Sequence, residues 1–151
     1  EKGSEGMIST AWKFGKDVPE VKEIRESCGL APLESDEKSL HLILLENSVP
    51  VACGSLYFDS GAYRIADACV KEEKRGEHIG DLLLRLLLVR GFNMLADKIV
   101  ITATSETVGF FSKYGFKQTK TTEMEVDAQG LILDSKCGHN CKECLNQCTQ
   151  N

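Results

Sequence analysis

The sequence predicts an α/β fold, a mixed β-sheet flanked by helices, and three observations carry that prediction. Two apolar runs containing β-branched residues, LHLILLE and VPVACGSLYF, are separated only by Asn47-Ser48, and a third, AYRIADACV, follows across Asp59-Ser60-Gly61. Turn-forming residues between such runs spell a three-stranded antiparallel meander. From Ile79 the apolar residues change to helical spacing, with Leu82, Leu83, Leu86, Leu87 and Met94 on one face and Arg85 and Arg90 off it. KIVITA, Lys98 to Ala103, then completes a strand, loop, helix, strand unit. A right-handed crossover to a parallel neighbour is the natural arrangement for such a unit, so the sheet is mixed.

The remaining elements follow in order. Asp17 is positioned to cap a helix that takes Pro19 in its first turn, buries Val21, Ile24 and Cys28 at helical spacing, and stops at Gly29. The polar stretch Ser35 to Ser39 reads as another helical turn. TVGFFSKYGF reads as a helix ending near Gly115, and QTKTTEMEV alternates like a single edge strand. There is no internal repeat, and the compositional break falls at a cysteine-rich tail.

At 151 residues the chain is one domain's worth, divided here as a polar leader over 1–6, a domain over 7–130 and a tail over 131–151. Hydrophobic residues at 42% and charged residues at 27% are ordinary globular proportions, and no run approaches the roughly 18 apolar residues of a membrane span. A net charge of −5 with scattered bases argues against a nucleic-acid partner. With no export signal visible, a cytoplasmic location is expected, and the seven cysteines read as intracellular thiols or metal ligands.

The chemistry concentrates in Lys74-Arg75-Gly76-Glu77-His78-Ile79-Gly80, a glycine-bearing loop between a strand and a helix. A helix start offers unpaired N–H groups and a partial positive charge, which makes such a loop an anion site. His78 stands where a glycine would relax the loop; a residue in the first helical turn needs only ordinary backbone angles to aim its N–H at an anion, so the donor is expected to survive. The imidazole either adds a contact to phosphate or faces solvent.

Ala68-Cys69-Val70, then Arg75-Gly76-x-x-Ile79-Gly80, a leucine-rich helix, a short strand and FFSKYGF together resemble the GNAT superfamily of acetyl-CoA-dependent N-acetyltransferases, over most of residues 7 to 126. The resemblance is nearer to N-acetylglutamate-synthase-like and arsenic-resistance-linked members, where paired phenylalanines such as Phe110-Phe111 are common. It implies that Ala68, Cys69 and Val70 pair with the pantetheine arm of acetyl-CoA, and that Arg75 to Asp81 hold the pyrophosphate through the N–H groups of Gly76, Glu77, His78, Ile79, Gly80 and Asp81. It also implies acetyl transfer to a primary amine by direct attack on the thioester. The related members named act on amino-acid-sized amines, which favours a small molecule or an amino acid as acceptor.

Asp67, next to the strand segment, is the first candidate for the base, ahead of Asp59 and Tyr63; its other reading is a solvated surface carboxylate. The glutamate that family members often carry on the strand before the FFSKYGF helix has no counterpart in KIVITA, and Phe111 stands where a tyrosine often supplies the acid. These two departures keep open a non-catalytic CoA-binding module whose tail senses metal, metalloid or redox state. In the tail, Cys137, Cys141, Cys144 and Cys148 fall on one helical stripe, with the outer two about 16 Å apart on a straight helix. One tetrahedral ion therefore needs the tail to bend, to enlist His139 or to pair with another chain. Zinc or an iron–sulfur cluster, disulfides or redox-active thiols, and no defined role all remain readings of this tail. An edge strand followed by such a tail is compatible with a homodimer. Cys28, Cys53 and Cys69 fall within helix and strand patterns and read as core thiols.

Overall fold

The computed structural model describes residues 7–133, so the leader and the four tail cysteines lie outside the described residues. Seven strands form one mixed sheet in the order β1-β2-β3-β4-β5-β7-β6. They are β1 (Ile8–Phe14), β2 (Leu40–Glu46), β3 (Val49–Asp59), β4 (Ala62–Val70), β5 (Lys98–Thr102), β6 (Lys117–Lys120) and β7 (Glu123–Asp127). The helices are α1 (Pro19–Ser27), α2 (Ile79–Asn93) and the short α3 (Val108–Ser112), with 3-10 turns at Glu34–Lys38 and Glu72–Lys74. The meander and the mixed sheet stand as the sequence predicted: β2, β3 and β4 pair antiparallel, and β4 pairs parallel with β5. Both turn sites place their residues in the left-handed region, Asn47 and Ser48 at φ 53° and 72°, Ser60 and Gly61 at 53° and 83°. Such turns match the twist of the strands they join.

Helices α1 and α2 cover opposite faces, which is why β2 reads as a continuous apolar run. Leu42 and Leu44 face the α2 core with Leu56, Ile65, Leu83 and Leu87, while Ile43 and Cys53 face Val18, Val21 and Ile24 on the α1 side. A strand buried on both sides gains nothing from alternation. Each such fully buried Leu or Ile contributes roughly 1.5–3 kcal/mol.

Four secondary-structure elements depart from the sequence reading. Strand β1, unforeseen, pairs with β2 along its whole length. The cap of α1 is Val18, with no side-chain hydrogen bond, rather than Asp17; Pro19 has no N–H to satisfy, which reduces what a capping side chain can add. QTKTTEMEV is a hairpin, β6 and β7, and β7 is an interior strand beside β5 while β6 is the edge. Finally, α2 seats on Leu83, Leu84, Leu87, Leu88 and Gly91, a face turned by about one residue from the predicted stripe. A leucine-rich helix leaves that choice to packing, and Gly91 decides it: a Cβ there would lie 2.6 Å from Ile99 Cδ1, so the helix meets the sheet along the glycine.

Gly115 closes α3 at φ +98°, and a Cβ on it would lie 2.9 Å from the carbonyl carbon of Gly130. Leu131 and Leu133 pack on the core beyond that contact, and Ile132 donates to the Tyr114 carbonyl. Gly115→Ala is therefore expected to lower stability by about 3 kcal/mol or more, read from the urea midpoint, because backbone angle and backbone contact are both violated.

Candidate active site

The site is an opening inside the sheet. Strand β4 pairs with β5 only through Tyr63, Arg64 and Ile65, whereas its pairing to β3 continues to Cys69 and Val70. From Ala66 to Val70 its β5-facing edge lies outside that parallel ladder. The cause is a bulge: Cys53 faces Cys69 and Ser55 faces Ala66, so Gly54 alone opposes Asp67 and Ala68. Asp67 takes φ 48°, a left-handed angle that Asp tolerates better than most residues, and Gly54 leaves room where a Cβ would lie 2.6 Å from Leu87 Cδ1 and 3.5 Å from Ala68.

Two cavities flank the opening. A channel of about 330 Å³ runs between Ala68, Cys69 and Val70 on one side and Gly80, Leu83 and Leu84 of α2 on the other, closed over by Phe110 and Phe111. A broader cleft of about 890 Å³ lies toward the Glu34–Lys38 turn and is lined by Asp59, Ile65, Asp67 and Tyr57. Ala68, Thr107 and Phe111 line both, so the cavities meet there.

The N-terminus of α2 points at the channel. Its first helical hydrogen bond runs from Leu82 N–H to the His78 carbonyl, which leaves the N–H groups of Ile79, Gly80 and Asp81 ahead of the helical ladder. The Asp81 carboxylate is drawn away from that donor cluster by Arg85 Nε at 2.9 Å and by the Tyr114 hydroxyl. Arg75 folds back, donating from Nε to the Val70 carbonyl at 2.9 Å.

His78 corrects the expectation of ordinary angles: it is the N-cap at φ 67°, ψ 9°, and Gly76 is also left-handed at φ 84°. The loop turns twice through conformations that suit glycine, and histidine bears the steric cost at the second. His78→Gly is expected to raise stability by about 0.5–1 kcal/mol and His78→Val to lower it by about 1 kcal/mol in chemical denaturation, since left-handed angles cost an L-residue roughly 1–2 kcal/mol and a branched one more.

Asp67 sits at the cleft end of a buried polar chain that sequence reasoning missed. Arg25, 2% exposed, donates to Asp36 at 2.7 Å and to Ser55 at 3.0 Å. Its Nε has no hydrogen-bond acceptor among the described residues, and the Asp67 carboxylate lies 3.8 Å from it. Ser55 bonds His41 Nδ1 at 2.6 Å, and His41 Nε2 bonds the Gly15 carbonyl at 2.8 Å. Burial lowers the His41 pKa, so the ring is neutral, donating from Nε2 and accepting at Nδ1. Burial would raise Asp36, but the bonds from Arg25 and the Leu33 N–H outweigh it and hold the carboxyl below its usual range. At Asp67 burial prevails over the attraction of Arg25, and the carboxyl is pushed up. One sequence signal was available: Arg25 follows Val21 and Ile24 at positions i+4 and i+1, on the stripe that α1 buries.

Residues 13–131 match the acetyltransferase (GNAT) domain family. The chain belongs to the GNAT acetyltransferase family. It is an acyltransferase by that membership, with the uncharacterized N-acetyltransferase YjcF of Bacillus subtilis 22% identical over 102 residues, 68% of this chain and 67% of that protein. An acyl-CoA N-acyltransferase of Pseudomonas aeruginosa shares the fold at TM-score 0.70 and 15% identity, over 80% of this chain and 99% of that one. A Brucella melitensis GNAT acetyltransferase, in complex with acetyl-CoA, aligns at TM-score 0.65 and 16% identity, over 85% and 92% of the two chains. The N-acetylglutamate synthase of Neisseria gonorrhoeae, complexed with coenzyme A and N-acetyl-glutamate, aligns at TM-score 0.66 and 15% identity. This GNAT chain is 82% covered in that alignment and spans 36% of the synthase.

Within the GNAT frame the other candidates separate. Asp59 lines the cleft but is paired with Lys38 at 3.2 Å, and Tyr63 stacks edge-on against Phe58 and lines neither cavity. Tyr114 is 3% exposed and engaged with Asp81, away from the junction where Phe111 stands. No group of three or more His, Cys, Asp or Glu among the described residues is arranged to hold a metal ion, and no described helix is long and apolar enough to cross a membrane.

Proposed function

We propose that this GNAT protein transfers acetyl from acetyl-CoA to the primary amine of a small molecule or amino acid by direct attack on the thioester. The observation that carries the reading is the open β4 edge at Ala66–Val70, lying between the α2 N-terminus and the acceptor cleft. An extended amide-bearing arm fits that edge as an added strand, and the apolar channel suits its methylenes. The N–H groups of Gly76 to Asp81 receive the pyrophosphate, with Arg75 released from Val70 to join them.

Acetyl-CoA supplies the acyl group in activated form. A backbone N–H near Ala68 to Val70 polarises its carbonyl, and Asp67 takes the proton from the attacking amine. Glu34, Glu37, Asp59 and Asp67 against Lys38 give the cleft an acidic lining that draws a protonated amine. No hydroxyl is needed at Phe111 for the reaction to proceed, since a thiol with a reference pKa of about 8.5 leaves tolerably as thiolate. Similarity of fold to a synthase seen with N-acetyl-glutamate is consistent with an amino-acid-sized acceptor. Isothermal titration with acetyl-CoA, followed by a panel of amino acids and small amines monitored for released thiol, tests the proposal. Saturable acetyl-CoA binding and turnover with at least one acceptor are expected; absence of acetyl-CoA binding would overturn it.

A further inference from the structure

Three thiols that the acetyl-transfer chemistry does not use gather where α1 meets β3 and β4. Cys53 and Cys69 are direct partners across the antiparallel pair, on the same face, with their sulfurs 4.0 Å apart. Directly opposed strand residues have Cα atoms about 4.5–5.5 Å apart, inside the range a disulfide spans, so side-chain rotation can bring the sulfurs to about 2.05 Å. Cys28, at the end of α1, donates to the Val70 carbonyl at 3.5 Å and receives Arg75 at 3.8 Å. All three are free thiols.

We propose that Cys53 and Cys69 are a reversible disulfide site, closed by a hydroperoxide and opened by a thiol reductant. Cys69 reacts first because it is half-buried, whereas Cys53 is sealed in the core. The Cys69 thiolate attacks the peroxide, the O–O bond breaks, and Cys69 becomes a sulfenic acid as one water or alcohol departs. The Cys53 sulfur then displaces the hydroxyl, which leaves as a second water, and the S–S bond forms. Two thiols lose two hydrogens, and the peroxide is the oxidant consumed. The contact with Cys53, and then burial, push the Cys69 thiol well above its ordinary value, so closure is slow at neutral pH.

Trypsin separates the three cysteines onto residues 26–38, 39–64 and 65–71, and puts the tail cysteines on other peptides. Full-length protein treated with hydrogen peroxide, alkylated and digested without reductant is expected to yield 39–64 joined to 65–71, lost on dithiothreitol, at a rate rising about tenfold per pH unit from 7 to 8.5. Cys53→Ala, and Cys53→Ser as a second replacement, are expected to leave a sulfenic acid on Cys69 that dimedone traps. The proposal is overturned when Cys53 of the peroxide-treated protein is still alkylated once the protein is denatured, or when Cys69 pairs with Cys28 or a tail cysteine.

Discussion

Gly80→Glu is expected to weaken acetyl-CoA binding by at least about 100-fold while leaving the urea midpoint no lower than that of wild type. Gly80 lies in the first turn of α2 and lines the channel opposite Ala68 to Val70. A glutamate there places a negative charge among the N–H groups proposed to hold the pyrophosphate, and its side chain enters the space of the arm. The same charge favours the helix itself, because carboxylates are stabilising at a helix N-terminus by about 0.3–1 kcal/mol. Binding and folding therefore move independently, which makes the variant informative. Gly80→Ala, adding bulk without charge, is expected to lose much less affinity. Calorimetry on the three proteins decides the matter, and equal affinities would exclude the α2 N-terminus as the phosphate site.

The second large effect is expected at Asp67→Asn, a fall in kcat/KM of about 10²- to 10⁴-fold together with loss of the acid-side limb of the pH profile. Only the ionised carboxylate accepts a proton, so wild-type activity rises with pH through the Asp67 pKa, which burial sets above the ordinary carboxylate value. The amide has no such titration, and its residual activity follows the amine's own deprotonation alone. Stability runs the other way. A folded-state pKa above the unfolded one means the native protein binds the proton more tightly, so this residue's contribution is full below the unfolded pKa and is lost as pH rises through the folded pKa. At pH 7 the charged Asp67 is a liability that Asn removes, and Asn accepts the φ of 48° at that position. The variant is thus expected to unfold no earlier than wild type at pH 7, with its advantage shrinking as the pH falls. Full activity with a retained acid limb would move the base elsewhere.

What the sequence disclosed and what it withheld follow from how local each feature is. The turns at Asn47-Ser48 and Ser60-Gly61 are written in residues whose backbone preferences act alone, and KRGEHIG joins strand to helix where it was expected, although His78 takes a left-handed angle that its residue type does not announce. Strand β1 was missed because ISTAWKF has weak alternation and acquires its identity from pairing with β2. The hairpin between β6 and β7 was missed because Thr121-Thr122 lacks the glycine, asparagine or proline that usually announces a turn. The bulge at Asp67 has no local signature either: IADAC reads as plain strand, and the left-handed angle comes from the register forced by Gly54 against α2. Asp67 could be nominated from its place beside the strand, but its tie to Arg25 joins residues 42 positions apart in sequence and needed the fold.

The opening between β4 and β5 also bears on solubility during the protein's working life. Unpaired strand edges invite other chains to add to a sheet, and proteins usually guard them at the margins, as the exposed lysines of β6 do here. The open edge of β4 is interior instead, with β5 beside it and α2, Phe110 and Phe111 walling the channel. The backbone proposed to receive acetyl-CoA is thereby withheld from aggregation.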